Sequence, residues 1–254
     1  MNDQLALLCG PGDSSAAMAN ALAREFGEIP ILVEAKEPRP RFLRRRVRRL
    51  GLATVAGQVA FAALTPLLRR RGRGRIAAIL AESGLDLDRT RLAQADRTAS
   101  VNDSATVAWL RRRRPKVIVV NGTRIIARRV LEATDAKFIN LHCGITPEYR
   151  GAHGAYWALS RDDRDGCGVT VHLVDPGTDT GGILAQARIE PDRGDNFATY
   201  PWLQLAAGLP LLLGAVRAAL AGRVEPVARE APSNLWYHPT LWHYLATGWR
   251  RSVW

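Results

Sequence analysis

Cysteine and lysine are scarce in this 254-residue chain, and each shortage excludes something. The three cysteines, Cys9, Cys143 and Cys167, show no paired spacing and no C-x-x-C. A disulfide-stapled scaffold and a dithiol redox motif are therefore excluded, and reduced thiols in a cytoplasmic protein are expected. No basic stretch followed by an apolar one opens the sequence, so no signal peptide is read. No internal repeat is visible. With lysine almost missing, the formal net charge of +12 is carried by arginine. Arginine bias of this kind also follows from genomic base composition, so the charge is not taken as a binding signal and no nucleic-acid partner is expected. His142, Cys143, His153 and His172 fit no standard ligand spacing, and no metal is expected.

What is present is an ordinary globular composition, 47% apolar and 24% charged, in a chain long enough to bury a core. "LALLCGPGDSSAAMANALAREF", residues 5–26, reads as strand, tight loop and helix. The apolar run ends at Cys9, the turn follows, Asp13 or Ser14 can cap, and 16–26 has helical composition. "IPILVE" (29–34), "KVIVVN" (116–121), "KFINL" (137–141), "CGVTVHLVD" (167–175) and "GILAQARIE" (182–190) read as strands, and 197–221 as a long helix. Strands alternating with helices predict an α/β fold with a mostly parallel sheet flanked by helices.

Residues 38–75 interrupt that alternation. An apolar centre, Leu52 to Leu68, lies between two arginine clusters and includes Gln58 and Pro66. Its 17 residues are at the short limit for a bilayer span. The preferred reading is one or two helices packed on the domain edge. An interfacial membrane helix over 39–75, with snorkelling arginines, is the alternative that is not favoured. The expected organisation is one domain over 1–221, with a basic and apolar helical insertion at about 38–82. An aromatic-rich tail, 222–254, is expected to dock on the body or on the second subunit of a homodimer.

The chemistry concentrates in "FINLHCGITPEYRG", residues 138–151. Side chains two apart on a strand point to one side, so Asn140 and His142 should project together at the strand's C-terminal end. That edge is where open α/β sheets place their ligand sites. In "GVTVHLVDPGTDTGGIL", Thr170 and His172 share one face of a later strand, and Asp179 follows on a loop that could return to His142. An amide, an imidazole and a carboxylate suit acyl transfer: an N–H donor for an oxyanion, a proton carrier, and a group that tunes it. Cys143 reads as the small residue of the turn rather than a nucleophile. "CGPGDSSA" resembles a phosphate-cradling turn at a helix N-terminus, with Gly10, Gly12, Asp13 and Ser14 as candidates for the acceptor. It lacks G-x-G-x-x-G and the P-loop lysine, so the motif alone is weak. Arg150, His153 and Trp157 are further acceptor-side candidates, the last two on a helix expected to face the site.

The N-x-H pair, the turn with Pro-x-Tyr-Arg-Gly, "GVTVHLVD" and the Asp-x-Gly-Gly loop together resemble the 10-formyltetrahydrofolate-dependent formyltransferase family, whose members act on glycinamide ribonucleotide, methionyl-tRNA and amino sugars. The resemblance implies a Rossmann-like formyltransferase fold. It implies a catalytic trio of Asn140, His142 and Asp179, with Thr170 and His172 supporting. It also implies a pterin pocket lined by "NGTRII" (Asn121, Gly122, Thr123, Ile125 and Ile126) and by the 175–179 loop with Asp175 and Gly177. Protonated His142, kept charged by Asp179, is expected to stabilise the oxyanion beside Asn140. The implied donor is 10-formyltetrahydrofolate and the partner a small-molecule amine. Methionyl-tRNA is expected to be disfavoured because that enzyme carries a separate C-terminal domain, whereas only 33 residues follow 221 here, and a different first loop disfavours glycinamide ribonucleotide. A nucleotide-linked amino sugar is the lead acceptor. A formyltetrahydrofolate hydrolase, or a non-catalytic membrane- or nucleic-acid-binding protein on the same scaffold, stays open as an alternative.

Overall fold

A computed structural model describes residues 2–254. In chain order the elements are β1 (Leu5–Cys9), α1 (Asp13–Phe26), β2 (Ile31–Glu34), α2 (Arg39–Leu50), α3 (Leu52–Arg71), α4 (Arg73–Ser83), α5 (Thr90–Gln94), β3 (Asp96–Thr98), α6 (Ser104–Arg113) and β4 (Val117–Asn121). Then follow α7 (Arg128–Leu131), β5 (Lys137–His142), β6 (Arg150–Gly151), α8 (Gly154–Ser160), β7 (Gly168–Leu173), β8 (Ile183–Arg188), α9 (Tyr200–Leu220), β9 (Leu235–Trp236) and α10 (Leu241–Arg251). Seven strands form one sheet in the order β3-β2-β1-β4-β5-β7-β8. The pairs from β3 to β5 are parallel, whereas β5–β7 and β7–β8 are antiparallel.

The central strands, "LALLC" and "VIVVN", are apolar except for Asn121 at the end of the second, and every residue of both is buried. That is the pattern of strands covered on both faces. One face carries α1 and α9, with Met18, Leu22, Leu205 and Leu212 against Leu5, Leu7 and Val119. The other carries Trp109, Leu110 and Val130 against Ala6, Leu8 and Ile118. This is a mostly parallel, Rossmann-like α/β sheet flanked by helices, the architecture the resemblance implied. Strand and helix ends differ from the sequence reading by a few residues at most. The short α5 and α6, which complete the crossover to β4, carry weak periodicity and were not anticipated.

The 38–82 region forms α2, α3 and α4 at the edge of the domain. The tail crosses back over the body: β9 pairs in parallel with β6, and α10 packs on α3. A third apolar cluster lies between them, with Phe61, Tyr156, Phe197 and Tyr244 at its centre.

Candidate active site

Three loops meet at the C-terminal ends of β4 and β5. The ladder sets Asn140 opposite His172 and His142 opposite Thr170. The amide and both imidazoles therefore gather at the C-terminal end of β5, as the period-two reading required. Asp179 reaches them from the loop after β7, in a left-handed backbone conformation with φ of 52°. A non-glycine residue held there is uncommon and marks a loop fixed by its surroundings. Its Oδ2 lies 3.3 Å from His142 Nδ1 and accepts from the Gly151 N–H at 2.9 Å, and its Oδ1 lies 3.5 Å from His172 Nε2.

The other nitrogen of each ring faces a carbonyl. His142 Nε2 lies 2.7 Å from the Tyr149 oxygen and His172 Nδ1 lies 2.6 Å from the Leu173 oxygen. Carbonyls only accept, so both nitrogens are protonated and donate. In the neutral rings, His172 Nε2 then accepts from Asn140 Nδ2 at 3.1 Å. One Asn140 N–H is occupied and, among the described residues, the other has no partner. His142 Nδ1 is left with a lone pair turned toward a carboxylate. A proton added there becomes a hydrogen bond to Asp179.

Burial brings the His142 imidazole below its ordinary value, although Asp179 and the Tyr149 carbonyl pull it upward. Burial raises the Asp179 carboxyl, but the His172 ring, His142 and the Gly151 N–H outweigh it and leave it below its ordinary value. The resting pair is thus a neutral imidazole beside a carboxylate. This corrects the expectation of a His142 held charged by Asp179: His142 is 6% exposed, and desolvation wins over attraction. Cys143 is pushed up to about 12, by burial first and by Asp179 second, so it carries no thiolate at neutral pH.

These groups line a cleft of about 310 Å³. Gly122, Thr123, Ile125 and Ile126 form one wall and Asp175, Gly177 and Asp179 another, with Asn140, His142 and His172 between them. Asp175 shapes its own loop by accepting from the Gly177 N–H at 3.0 Å and the Thr180 hydroxyl at 2.6 Å. Thr170 pins the turn after His142: its hydroxyl donates to the Gly144 carbonyl at 2.8 Å and accepts from the Thr146 N–H at 3.1 Å.

Several predicted residues lie elsewhere. Asn121 is buried and its amide donates to Ser14 and Ser15 at 3.1 and 2.8 Å, so it braces α1 and does not line the cleft. Gly10, Gly12, Asp13 and Ser14 sit beside it, outside the cleft lining. Asp13 pairs with Arg89, and a Cβ on Gly10 would stand 2.5 Å from the Gly122 oxygen. Arg150 is occupied on the loop side, donating to the Thr178 carbonyl at 3.0 Å. His153 and Trp157 do not face the site. His153 Nε2 is 2.8 Å from His238 Nδ1, and Trp157 donates to the Tyr237 carbonyl and stacks on Trp236 at 4.7 Å. The helix that carries them turns its aromatic face to the tail, where apolar burial is available. Among the described residues, no group of three His, Cys, Asp or Glu is placed to hold a metal.

Three contributors had no clear signal. Gly144 must lack a side chain, since a Cβ would lie 2.7 Å from His142 Nε2 and 2.2 Å from the Tyr149 oxygen. Glu34 is 4% exposed and accepts from the N–H groups of Val101 (2.9 Å) and Arg124 (2.8 Å) and from the Arg124 guanidinium (2.7 Å). It thereby ties the "NGTRII" wall to the end of β2; a charged residue closing an apolar strand was the only hint. The Tyr149 carbonyl, which fixes the His142 tautomer, is invisible to any side-chain pattern.

Comparison with known proteins fits this geometry. Methionyl-tRNA formyltransferase from Anaeromyxobacter sp. strain K is 33% identical over 132 residues, covering 52% of this chain and 42% of that protein. The chain spans less than half the length of such curated relatives. Glycinamide ribonucleotide transformylase 1 from Symbiobacterium toebii shares the fold with a TM-score of 0.55 at 19% identity, over 88% of this chain and 91% of that one. A sugar 3N-formyl transferase solved with dTDP and 5-N-formyl-THF does so at 0.56 and 11%, over 93% of this chain and 70% of that one. Residues 76–200, which include the whole site from Asn121 to Asp179, match the formyl transferase family.

Proposed function

We propose that this chain transfers a formyl group from 10-formyltetrahydrofolate to the primary amine of a small molecule, with a nucleotide-linked amino sugar as the lead acceptor. The carrying observation is the meeting of Asn140, His142 and Asp179 in a cleft of small-ligand size. The pterin lies against Gly122–Ile126 and the 175–179 loop. Its use as donor is supported by the family and by the formyl-folate in one neighbour's structure. The sugar acceptor rests on that same neighbour's being a sugar formyltransferase with dTDP present. Three unpaired thiols suit a cytoplasmic setting.

The amine nitrogen attacks the formyl carbon, a C–N bond forms, and the carbonyl electron pair moves to oxygen. The free Asn140 N–H meets that oxyanion. The attacking nitrogen then holds an excess proton, which His142 Nδ1 accepts. The new imidazolium is stabilised by Asp179 at 3.3 Å and by the Tyr149 carbonyl at 2.7 Å. Collapse of the oxyanion restores the carbonyl and breaks the bond to N10, and the same proton passes to N10. The pair is balanced for this relay, because burial disfavours the charged ring while Asp179 favours it.

A thermal shift with 5-formyltetrahydrofolate, with and without chelator, tests the donor half. Ligand at about one hundred times Kd should stabilise the chain by about 2.7 kcal/mol, equally in both conditions. No shift at millimolar ligand, or a shift that chelator abolishes, would contradict it.

A further inference from the structure

The charge of this chain is not spread over its surface. Residues 39–75 hold twelve arginines and no acid, which equals the formal net charge of +12. The other 24 Lys and Arg are matched by the 24 Asp and Glu. All twelve lie in or beside α2, α3 and the start of α4. Among the described residues only Arg45, with Glu37, and Arg75, with Asp192 and Asp195, have carboxylate partners. Base composition explains arginine in place of lysine, but not this confinement.

The same elements expose apolar surface at helical spacing. On α3 the outward residues are Leu52, Ala56, Val59, Ala60, Ala63 and Leu67, with Leu52 72% exposed. On α10 they are Trp242, Leu245, Ala246 and Trp249, with Trp249 85% exposed. Both are continuous stripes with no polar residue among them, the reverse of a solvated helix face. They join where the Trp242 ring rests against Gly57, at a point a Cβ would occupy. Arginines bound the joined face: α2 and Arg69–Arg71 on one helix pair, Arg250 and Arg251 at the end of α10.

α3 is long and apolar enough to cross a bilayer by length and composition, but its other side is fastened to the protein. Phe61 is fully buried against Phe197 and Tyr244. Gln58 accepts from Arg46 and donates to the His238 carbonyl at 2.7 Å. A helix held along one side lies on a bilayer and does not span it.

We infer that the face formed by α2, α3 and α10 binds the surface of an anionic lipid bilayer, with the Trp and Leu stripes in the interfacial layer and the arginines on the lipid headgroups. Exposed tryptophan is favoured at that depth, and the cationic rim supplies charge complementarity to anionic headgroups. A nucleic acid would use the arginines and leave the two apolar stripes in water. A second copy would bring two such arginine rims together.

The test uses the full chain and no acceptor, so it is independent of the formyl-transfer reading. Co-sedimentation is measured with phosphatidylcholine vesicles and with vesicles in which a third of the lipid is phosphatidylglycerol. The partition coefficient should be at least about tenfold higher on the anionic vesicles and should fall as salt is raised. Brominated lipid should quench tryptophan fluorescence. Leu52→Ser with Trp249→Ser, and separately Arg44→Gln with Arg48→Gln, should each lower partitioning about tenfold or more. All four side chains are exposed, so the melting temperature should stay unchanged. Equal or absent binding to the two vesicle types, or binding that neither variant alters, overturns the inference. So does a dimer that buries Trp249 and ignores vesicles, or a chain that binds duplex DNA in their place.

Discussion

Lowering the pH from about 7.5 to about 5 puts a load on the histidine pair that fastens the tail. His153 and His238 share one hydrogen bond at 2.8 Å, one ring donating and the other accepting. Burial brings His153 to about 3, with His238 and Arg46 adding to it. Burial and then Arg46 bring His238 to about 4. In the unfolded chain both return to about 6.5. The folded values are the lower ones, so this contribution to stability is complete above about pH 6.5 and declines as the pH falls. At about pH 5 each unfolded imidazole binds a proton that its folded counterpart refuses, a cost of about 2 kcal/mol per ring and about 4 kcal/mol for the pair. That is a large part of the ~5–15 kcal/mol of a typical domain. Urea midpoints at about pH 7.5, 6.5 and 5 measure it, in a window above the titration of ordinary carboxylates at about 4. His153→Gln with His238→Gln should flatten the pH dependence by about 4 kcal/mol between about pH 7.5 and 5, whatever it does to absolute stability. A double variant that keeps the wild-type slope would refute the assignment.

Other expectations follow from the site. Asn140→Ala and His142→Ala should each lower formyl transfer about 10²- to 10³-fold with the fold intact by circular dichroism; a near-wild-type rate in either removes it from the mechanism. Asp179→Asn should be as damaging as His142→Ala and should not recover near pH 6, because burial keeps the ring neutral without the carboxylate. A rate–pH profile that regains activity on acidification would show that Asp179 sets only the protonation of the ring. His172→Phe removes the acceptor that orients the Asn140 amide, and should lower kcat about tenfold with KM little changed. Glu34→Ala leaves the Val101 and Arg124 backbone N–H groups unpaired and removes the carboxylate partner of Arg124, which keeps the Ala99 and Ala35 carbonyls; it should cost about 1–3 kcal/mol in urea unfolding, together with weaker folate binding.

The strand ends that carry chemistry were legible because a period of two puts Asn140 and His142 on one side whatever the tertiary context. The Asp-Gly loop after β7 was legible by composition. Its reach to His142 was not, since it depends on Asp179 adopting φ of 52° and on the Gly151 N–H, both set by packing. Asn121 was misplaced because the last residue of a strand can point toward the neighbouring helix as readily as into the cleft, and Ser14 and Ser15 decide the matter here. His153 and Trp157 were misplaced because the reading expected the tail to dock but could not say where. The pairing of Leu235 and Trp236 with Arg150 and Gly151 joins elements some 85 residues apart, a distance no local pattern reports. The sign of the His142 shift was missed for a similar reason: attraction by Asp179 can be read from neighbours, whereas desolvation requires knowing what surrounds the ring.

The most direct measurement incubates the chain with 10-formyltetrahydrofolate and a panel of primary amines that includes nucleotide-linked amino sugars, and follows both formylated amine and free formate by mass spectrometry. Formylated amine that depends on Asn140 and His142, with little formate in the absence of acceptor, is the expected result. Formate alone, released equally with and without amine, would make water the acceptor and contradict the transfer reading. No turnover of the folate with any amine, in a chain that 5-formyltetrahydrofolate fails to stabilise, would contradict the cleft assignment itself.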